Sequence, residues 1–259
     1  MTRKHILIVT DSRGRGLQPF LASRISRQLA AIQVDVLPGA TLETITAHLQ
    51  SKIDRNTDLT IIAGGICNFT QKCKENNEKL LAYHRTEGKV EHVKDLLVQV
   101  AGELQGKLAI ATIPPASLKR YYTRFNNKEP PAALDQQQKE LLQDIAEVNR
   151  DITTINKAAN LKVIDLHTQC FSNSLDRKKK NRSNTERRRK IFNEHLLPDG
   201  VHPNSTLEHK WFSRYEQAIN SWLQSTSSSD TESDAAAADD WDYKRYDPNA
   251  PPRPSTSQQ

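Results

Sequence analysis

The sequence predicts an α/β protein, a three-layer α/β/α sandwich around a five-stranded parallel sheet. Three observations carry that expectation. Short runs rich in Ile, Leu and Val (residues 6–9, 58–63 and 107–113) alternate with longer segments whose apolar residues recur every three or four positions. The runs are apolar without alternation, which suits strands covered by helices on both faces. Several of them stop at glycine or proline, as strands do where they leave a sheet. Right-handed crossovers would then bring every carboxyl end to one edge, where open α/β sheets bind ligands.

In chain order, the first strand (residues 6–9) breaks at Asp11-Ser12-Arg13-Gly14-Arg15-Gly16. This is a strand–turn–helix junction with Ser12 at its apex, a geometry that presents a hydroxyl at the sheet edge. A serine there also serves as an N-cap for the following helix. Leu17, Phe20, Leu21, Ile25 and Leu29 predict that helix over residues 23–32. Residues 33–37 form the second strand, ended by Pro38-Gly39-Ala40. Thr41 caps a second helix, with Glu43 in its first turn and Leu42, Ile45 and Leu49 on one face.

The third strand (58–63) closes on Gly64-Gly65-Ile66-Cys67-Asn68. A polar segment leads to a helix over 90–104 and a fourth strand over 107–113, stopped by Pro114-Pro115. Residues 116–131 read as a loop with Tyr121, Tyr122 and Phe125 among basic residues. A long helix over 134–159, a fifth strand over 161–166 and a last helix over 205–223 complete the fold. Leu197-Pro198-Asp199-Gly200-Val201-His202-Pro203 lies just before that last helix. Ser12, Gly39, Asn68 and His202 therefore fall in loops after the first, second, third and fifth strands.

The 259 residues carry a formal charge of +6, concentrated rather than spread. Residues 177–190 hold nine Lys/Arg against Glu186, a net of +8, while residues 225–259 hold seven acids and three bases, a net of −4. The remaining body is close to neutral, so there is no surface-wide footprint for nucleic acid. The expected organisation is one domain over residues 1–224 with a basic loop insertion at 176–191. An acidic, Ser/Asp/Pro-rich tail over 225–259 lacks the apolar content to build a core and is expected to be disordered. Arg177, Lys178, Lys179, Lys180 and Arg187, Arg188, Arg189, Lys190 form two basic clusters. They fit a solvated insertion, a nuclear-import signal or a phosphate-binding arm for RNA or DNA.

Cys67, Cys73 and Cys170 do not make a disulfide framework, and no Cys/His spacing suits zinc. Gly14-Arg15-Gly16 lacks the third glycine of a dinucleotide fingerprint, and no phosphate loop of the Walker type occurs. His84 and His92 lie among polar residues, as exposed rather than metal-ligating side chains do. No stretch approaches the roughly 18 apolar residues of a membrane span, nor is there a signal-peptide core. An intracellular protein, cytoplasmic or nuclear and not secreted, is the simplest expectation.

Four short blocks together are more specific. Thr10-Asp11-Ser12, Pro38-Gly39-Ala40, Gly64-Gly65-Ile66-Cys67-Asn68 and Asp199-Gly200-Val201-His202-Pro203 resemble, in order, the four motif blocks of the SGNH (GDSL-like) hydrolases. The resemblance covers about residues 4–223. It implies a flavodoxin-like sandwich and a serine esterase acting on an acetyl or short-acyl ester, with no metal or cofactor. It assigns Ser12 as nucleophile, His202 as base and Asp199 as its partner. The backbone N–H groups of Ser12 and Gly39 and the side-chain amide of Asn68 would form the oxyanion hole. Thr10 replaces the glycine that usually precedes Asp-Ser, and Phe69 replaces the acid that commonly follows the third-block asparagine. The Asp-Ser-Arg-Gly opening is also loosely similar to esterase-like domains in first-reading-frame proteins of some non-LTR retrotransposons. The alternative is a non-catalytic module of the same fold that binds RNA or DNA through the basic loop. Each block also has a plain structural role: a turn glycine, a tight strand exit, an asparagine bonding its own backbone, a histidine capping the last helix.

Overall fold

The computed structural model describes residues 2–53, 56–104, 106–174 and 189–227. Its centre is β1 (Lys4–Thr10), where Leu7 and Val9 face one hydrophobic cluster and Ile6 and Ile8 face another. Both faces of the strand are buried, which is why its sequence runs apolar without alternation. β1 pairs in parallel with β2 (Ala30–Val36) on one side and β3 (Leu59–Ala63) on the other. β3 pairs with β6 (Leu108–Ile110), giving the order β2-β1-β3-β6. Helices α2 (Leu42–Lys52), α4 (Lys89–Leu104) and α6 (Ala133–Ala158) cover one face; α1 (Leu17–Arg24) and α7 (Ser205–Ser227) cover the other. The result is a three-layer α/β/α sandwich.

The sheet has four strands, not the expected five. Residues 161–166 pair with the chain just past β6 at a single parallel bridge, Ala111 to Ile164. The cause lies in α6. Asn156 accepts the Ile110 N–H through Oδ1 (2.9 Å) and donates through Nδ2 to the Ile110 carbonyl (2.7 Å). Asn149 does the same at Ile113, at 2.7 and 2.9 Å. Asn156 thereby occupies the outward backbone groups of Ile110, beside the bridge, while the Thr112 N–H still donates to the Ile164 carbonyl (3.0 Å). On the opposite edge, Gln18 of α1 serves β2 in the same way, accepting from Val34 N–H (2.7 Å) and donating to the Ile32 carbonyl (2.8 Å).

The expected helix over 23–32 is displaced. α1 ends at Arg24, and the chain from Ala30 becomes β2, held residue by residue against β1 from Lys4–Ala30 to Thr10–Val36. Leu29, counted as part of a helical stripe, is exposed. Ile32, Val34 and Val36 are β-branched and alternate, and the pairing with β1 decides their conformation.

Two further segments are more ordered than expected. The polar stretch after Asn68 forms a hairpin, β4 (Gln71–Glu75) and β5 (Glu78–Ala82), turned by Asn76 and Asn77 at φ 48° and 65°. The loop at 116–131 contains helix α5 (Leu118–Asn126), capped by the Ser117 hydroxyl. Tyr121 and Tyr122 are buried against the core rather than available for stacking, and only Phe125 of the three is exposed.

β7 (Phe171–Ser174) and β8 (Arg189–Phe192) form an antiparallel pair. Of the basic clusters, Arg189 and Lys190 open β8, whereas residues 177–188, like those from 228 onward, lie outside the described residues. Among the described residues no helix is long and apolar enough to cross a membrane.

Candidate active site

The carboxyl end of β1 sets the first part of the site. Asp11 is buried; its N–H donates to the Ala63 carbonyl (3.1 Å) and its Oδ1 accepts the Arg13 N–H (2.9 Å). That side chain caps a tight 3-10 turn (Ser12–Gly14) and lifts Ser12 to its apex. Ser12 is therefore not the cap of α1, which starts after Gly16 without a side-chain cap. Arg13, also buried, donates from Nη1 to the Pro114 carbonyl (2.8 Å) and from Nη2 to the Pro115 carbonyl (3.3 Å). It ties the serine turn to the loop after β6, a role with no signal in the sequence.

The second part is the 197–204 segment. Asp199 folds it, accepting the Val201 N–H (2.9 Å) and His202 N–H (2.7 Å) through Oδ1. Its other oxygen lies 2.7 Å from His202 Nδ1. Burial works to raise the Asp199 carboxyl, but the hydrogen bonds from the His202 ring and the two backbone N–H groups outweigh it. The group stays ionised, below its ordinary value of 3.8. Gly200 lets the segment close on α5: its carbonyl accepts the Ser117 N–H at 2.7 Å. A Cβ there would lie 2.4 Å from the Ser117 carbonyl oxygen, and its φ of +82° is left-handed.

The two parts meet. Ser12 Oγ is 2.9 Å from His202 Nε2, across 190 residues of sequence. An ionised Asp199 accepts only, so Nδ1 carries the ring proton and Nε2 is left as the acceptor facing the serine hydroxyl. The Asp199 and His202 side chains are 32% and 38% exposed, so the row opens to solvent.

Gly39 and Asn68 occupy the neighbouring loops. Gly39 has φ +74°, in a turn closed by the Ala40 N–H on the Leu37 carbonyl (3.1 Å). Asn68 lies in α3 (Ile66–Phe69), which leaves β3 through Gly64 and Gly65. It does not bond its own backbone. Its Oδ1 accepts the Leu42 N–H of α2 (2.8 Å), and its Nδ2 donates to Glu43 Oε2 (2.8 Å). Glu43 Oε1 is 2.8 Å from His92 Nε2. His92 is exposed, as expected, yet it is bonded to the carboxylate that holds Asn68. Burial pushes the Glu43 carboxyl up, but hydrogen bonds from Thr41, its own backbone N–H, His92 and Asn68 bring it down to about 2.

The loops after β1, β2 and β3 thus lie at the carboxyl edge of the sheet, and the 197–204 segment joins them through the Ser12–His202 contact. Cys67, Cys73 and Cys170 are free thiols, and among the described residues no group of three His, Cys, Asp or Glu could hold a metal.

Solved structures share this architecture. A lipase/acylhydrolase from Enterococcus faecalis superposes with a TM-score of 0.55 at 16% identity, covering 85% of this chain and 96% of that one. The acetyl xylan esterase AlAXEase gives 0.52 at 14% identity, over 83% and 99%. Axe2, an acetylxylan esterase from Geobacillus stearothermophilus, gives 0.50 at 12% identity, over 83% and 94%. No protein-family model and no curated protein matches the chain.

Proposed function

We propose that this chain, which has the fold of the SGNH hydrolases, is a serine esterase that works through an acyl-serine intermediate. The observation that carries the reading is the hydrogen-bonded row Ser12 Oγ–His202 Nε2 (2.9 Å) and His202 Nδ1–Asp199 Oδ2 (2.7 Å). A serine hydroxyl is a weak nucleophile until a base within hydrogen-bond reach takes its proton. His202 is in reach. As Ser12 Oγ bonds to the ester carbonyl carbon, its proton passes to Nε2, and Asp199 stabilises the imidazolium. The carbonyl oxygen becomes an oxyanion, for which the Ser12 and Gly39 N–H groups and the second N–H of Asn68 Nδ2 are the donors. One such donor is typically worth about 3–4 kcal/mol. Collapse expels the alcohol with the proton from His202. Water, deprotonated by the same histidine, then releases the acid and restores Ser12. The chemistry needs no cofactor. The similar solved structures named for esterase and acylhydrolase activities support an acetyl or short-acyl ester as substrate.

Hydrolysis of p-nitrophenyl acetate by the full chain and by Ser12→Ala tests the reading, with fluorophosphonate labelling and peptide mapping. Activity lost in the variant and a label on Ser12 are expected. A folded protein with neither activity nor label would overturn it.

A second reading concerns a polyanion. The nine basic residues within 177–190 lead through Arg189 and Lys190 of β8 toward the segment that carries Asp199 and His202. This proximity in the chain supports binding of RNA, DNA or an anionic ester beside the site. Glutamine at the eight cluster positions would abolish a gel shift; unchanged binding would remove the idea.

A further inference from the structure

We infer that Glu43 is a positioning residue for the oxyanion-binding amide of Asn68, supplied from the first turn of α2; this inference rests on the esterase reading above. The position after Asn68, where the resembled family commonly carries an acid, is Phe69, and its side chain is 2% exposed within the core cluster. An acid cannot come from there. It comes instead from an element 25 residues earlier, through Nδ2–Glu43 Oε2 at 2.8 Å.

The geometry determines which way the carboxamide faces. The Leu42 N–H is a donor only and an ionised carboxylate is an acceptor only. Turning the amide over would oppose its Nδ2 to the Leu42 N–H and its Oδ1 to Glu43, losing both 2.8 Å bonds. With both made, Oδ1 and one N–H are committed and the second N–H remains for a ligand oxygen. Stabilisation of a developing oxyanion depends on donors that are aimed before the charge forms. An asparagine free to rotate would reorganise in each turnover; one clamped on two sides does not.

Glu43 is itself held. Thr41 caps the helix through the Thr44 N–H, and His92 of α4 takes Oε1 at 2.8 Å. A carboxylate held down to about 2 stays an acceptor throughout the neutral range. The helix N-terminus favours a negative charge at this place in the first turn. A chain of three side chains, His92–Glu43–Asn68, therefore runs from the surface of α4 to the Asn68 amide.

The test is a double-mutant cycle on the full chain with p-nitrophenyl acetate, with rates normalised to Ser12 sites that react with fluorophosphonate. Asn68→Ala should lower kcat by about 10²–10³-fold. Glu43→Ala should lower kcat about tenfold with KM within about twofold, the signature of an interaction realised in the transition state. Glu43→Gln keeps an acceptor for the Asn68 N–H and should recover most of that loss. In the Asn68→Ala background, Glu43→Ala should have no further effect, because the group it positions is gone. A merely structural role for Glu43 would instead cost the same factor in both backgrounds and would follow the thermal midpoint. That result, or an unchanged kcat in Glu43→Ala, overturns the inference while leaving the esterase reading intact. A wild-type protein without Ser12-dependent turnover would remove both.

Discussion

Asp199→Asn separates the two functions of one side chain. In the structure Oδ1 holds the loop through the Val201 and His202 N–H groups, and Oδ2 faces His202 Nδ1. Asparagine keeps a carbonyl oxygen for the backbone donors, so the loop and its 2.7 Å approach to Ser117 should persist. The NH2 group that replaces Oδ2 can only donate, which obliges Nδ1 to accept. The ring proton then moves to Nε2, 2.9 Å from Ser12 Oγ, where the proposed mechanism requires a proton acceptor. Loss of the correct tautomer at a Ser-His-Asp row costs about 10⁴ in kcat. At about 1.4 kcal/mol per decade, this is about 5.5 kcal/mol of transition-state stabilisation. The assay is steady-state hydrolysis of p-nitrophenyl acetate at neutral pH, with circular dichroism to verify the fold. A folded Asp199→Asn protein within about tenfold of wild type would refute the argument, since an effect that small fits loosened positioning and not a wrong tautomer.

Two other expectations follow from single residues. Because the folded-state Glu43 carboxyl is depressed to about 2 from an ordinary 4.5, its stabilising contribution is fully present above 4.5 and is lost as pH falls toward 2. Thermal midpoints of wild type and Glu43→Gln should therefore differ at neutral pH and converge on acidification; a gap that persists at the lowest pH would contradict this. Asn156→Leu removes both carboxamide bonds to the buried Ile110 backbone, leaving its N–H without that acceptor, and should cost about 3 kcal/mol. Urea unfolding would show it as a lower midpoint at constant slope.

The parts of the candidate site legible in the sequence were mostly those determined by strand ends. Ser12, Gly39 and Asn68 follow the ends of β1, β2 and β3, and a parallel sheet brings such positions to one edge whatever lies between; the Asp199–His202 segment instead follows the β7–β8 pair and meets Ser12 by its own turn. What was illegible depended on side chains reaching across elements. Nothing near Asn156 or Asn149 announces that a helix will occupy the hydrogen-bonding edge of β6, so the fifth strand was expected in full. The periodicity through Leu29 suited a helix, but long-range pairing with β1 overrode it. The β4–β5 hairpin had a local signal, Asn76-Asn77 in a two-residue turn at positive φ. α5 had an N-cap in Ser117, obscured by the prolines on either side. Glu43 was visible as a first-turn acid; its bond to Asn68 was not, because the two lie on different elements.

The carboxamides at the sheet margins bear on how this molecule meets its own copies. An outer strand with free N–H and C=O groups is a template on which another chain can add a strand, the route to edge-to-edge aggregation. Here Gln18 occupies that template at Val34 and Ile32, and Asn156 occupies it at Ile110. Each amide presents one acceptor and one donor to the backbone, the same pair that an incoming peptide would offer. A newcomer must break two bonds to make two, with no net gain to drive its addition. Growth by strand addition is thereby disfavoured at both margins, and self-association is left to the outer faces of the helices and the loops.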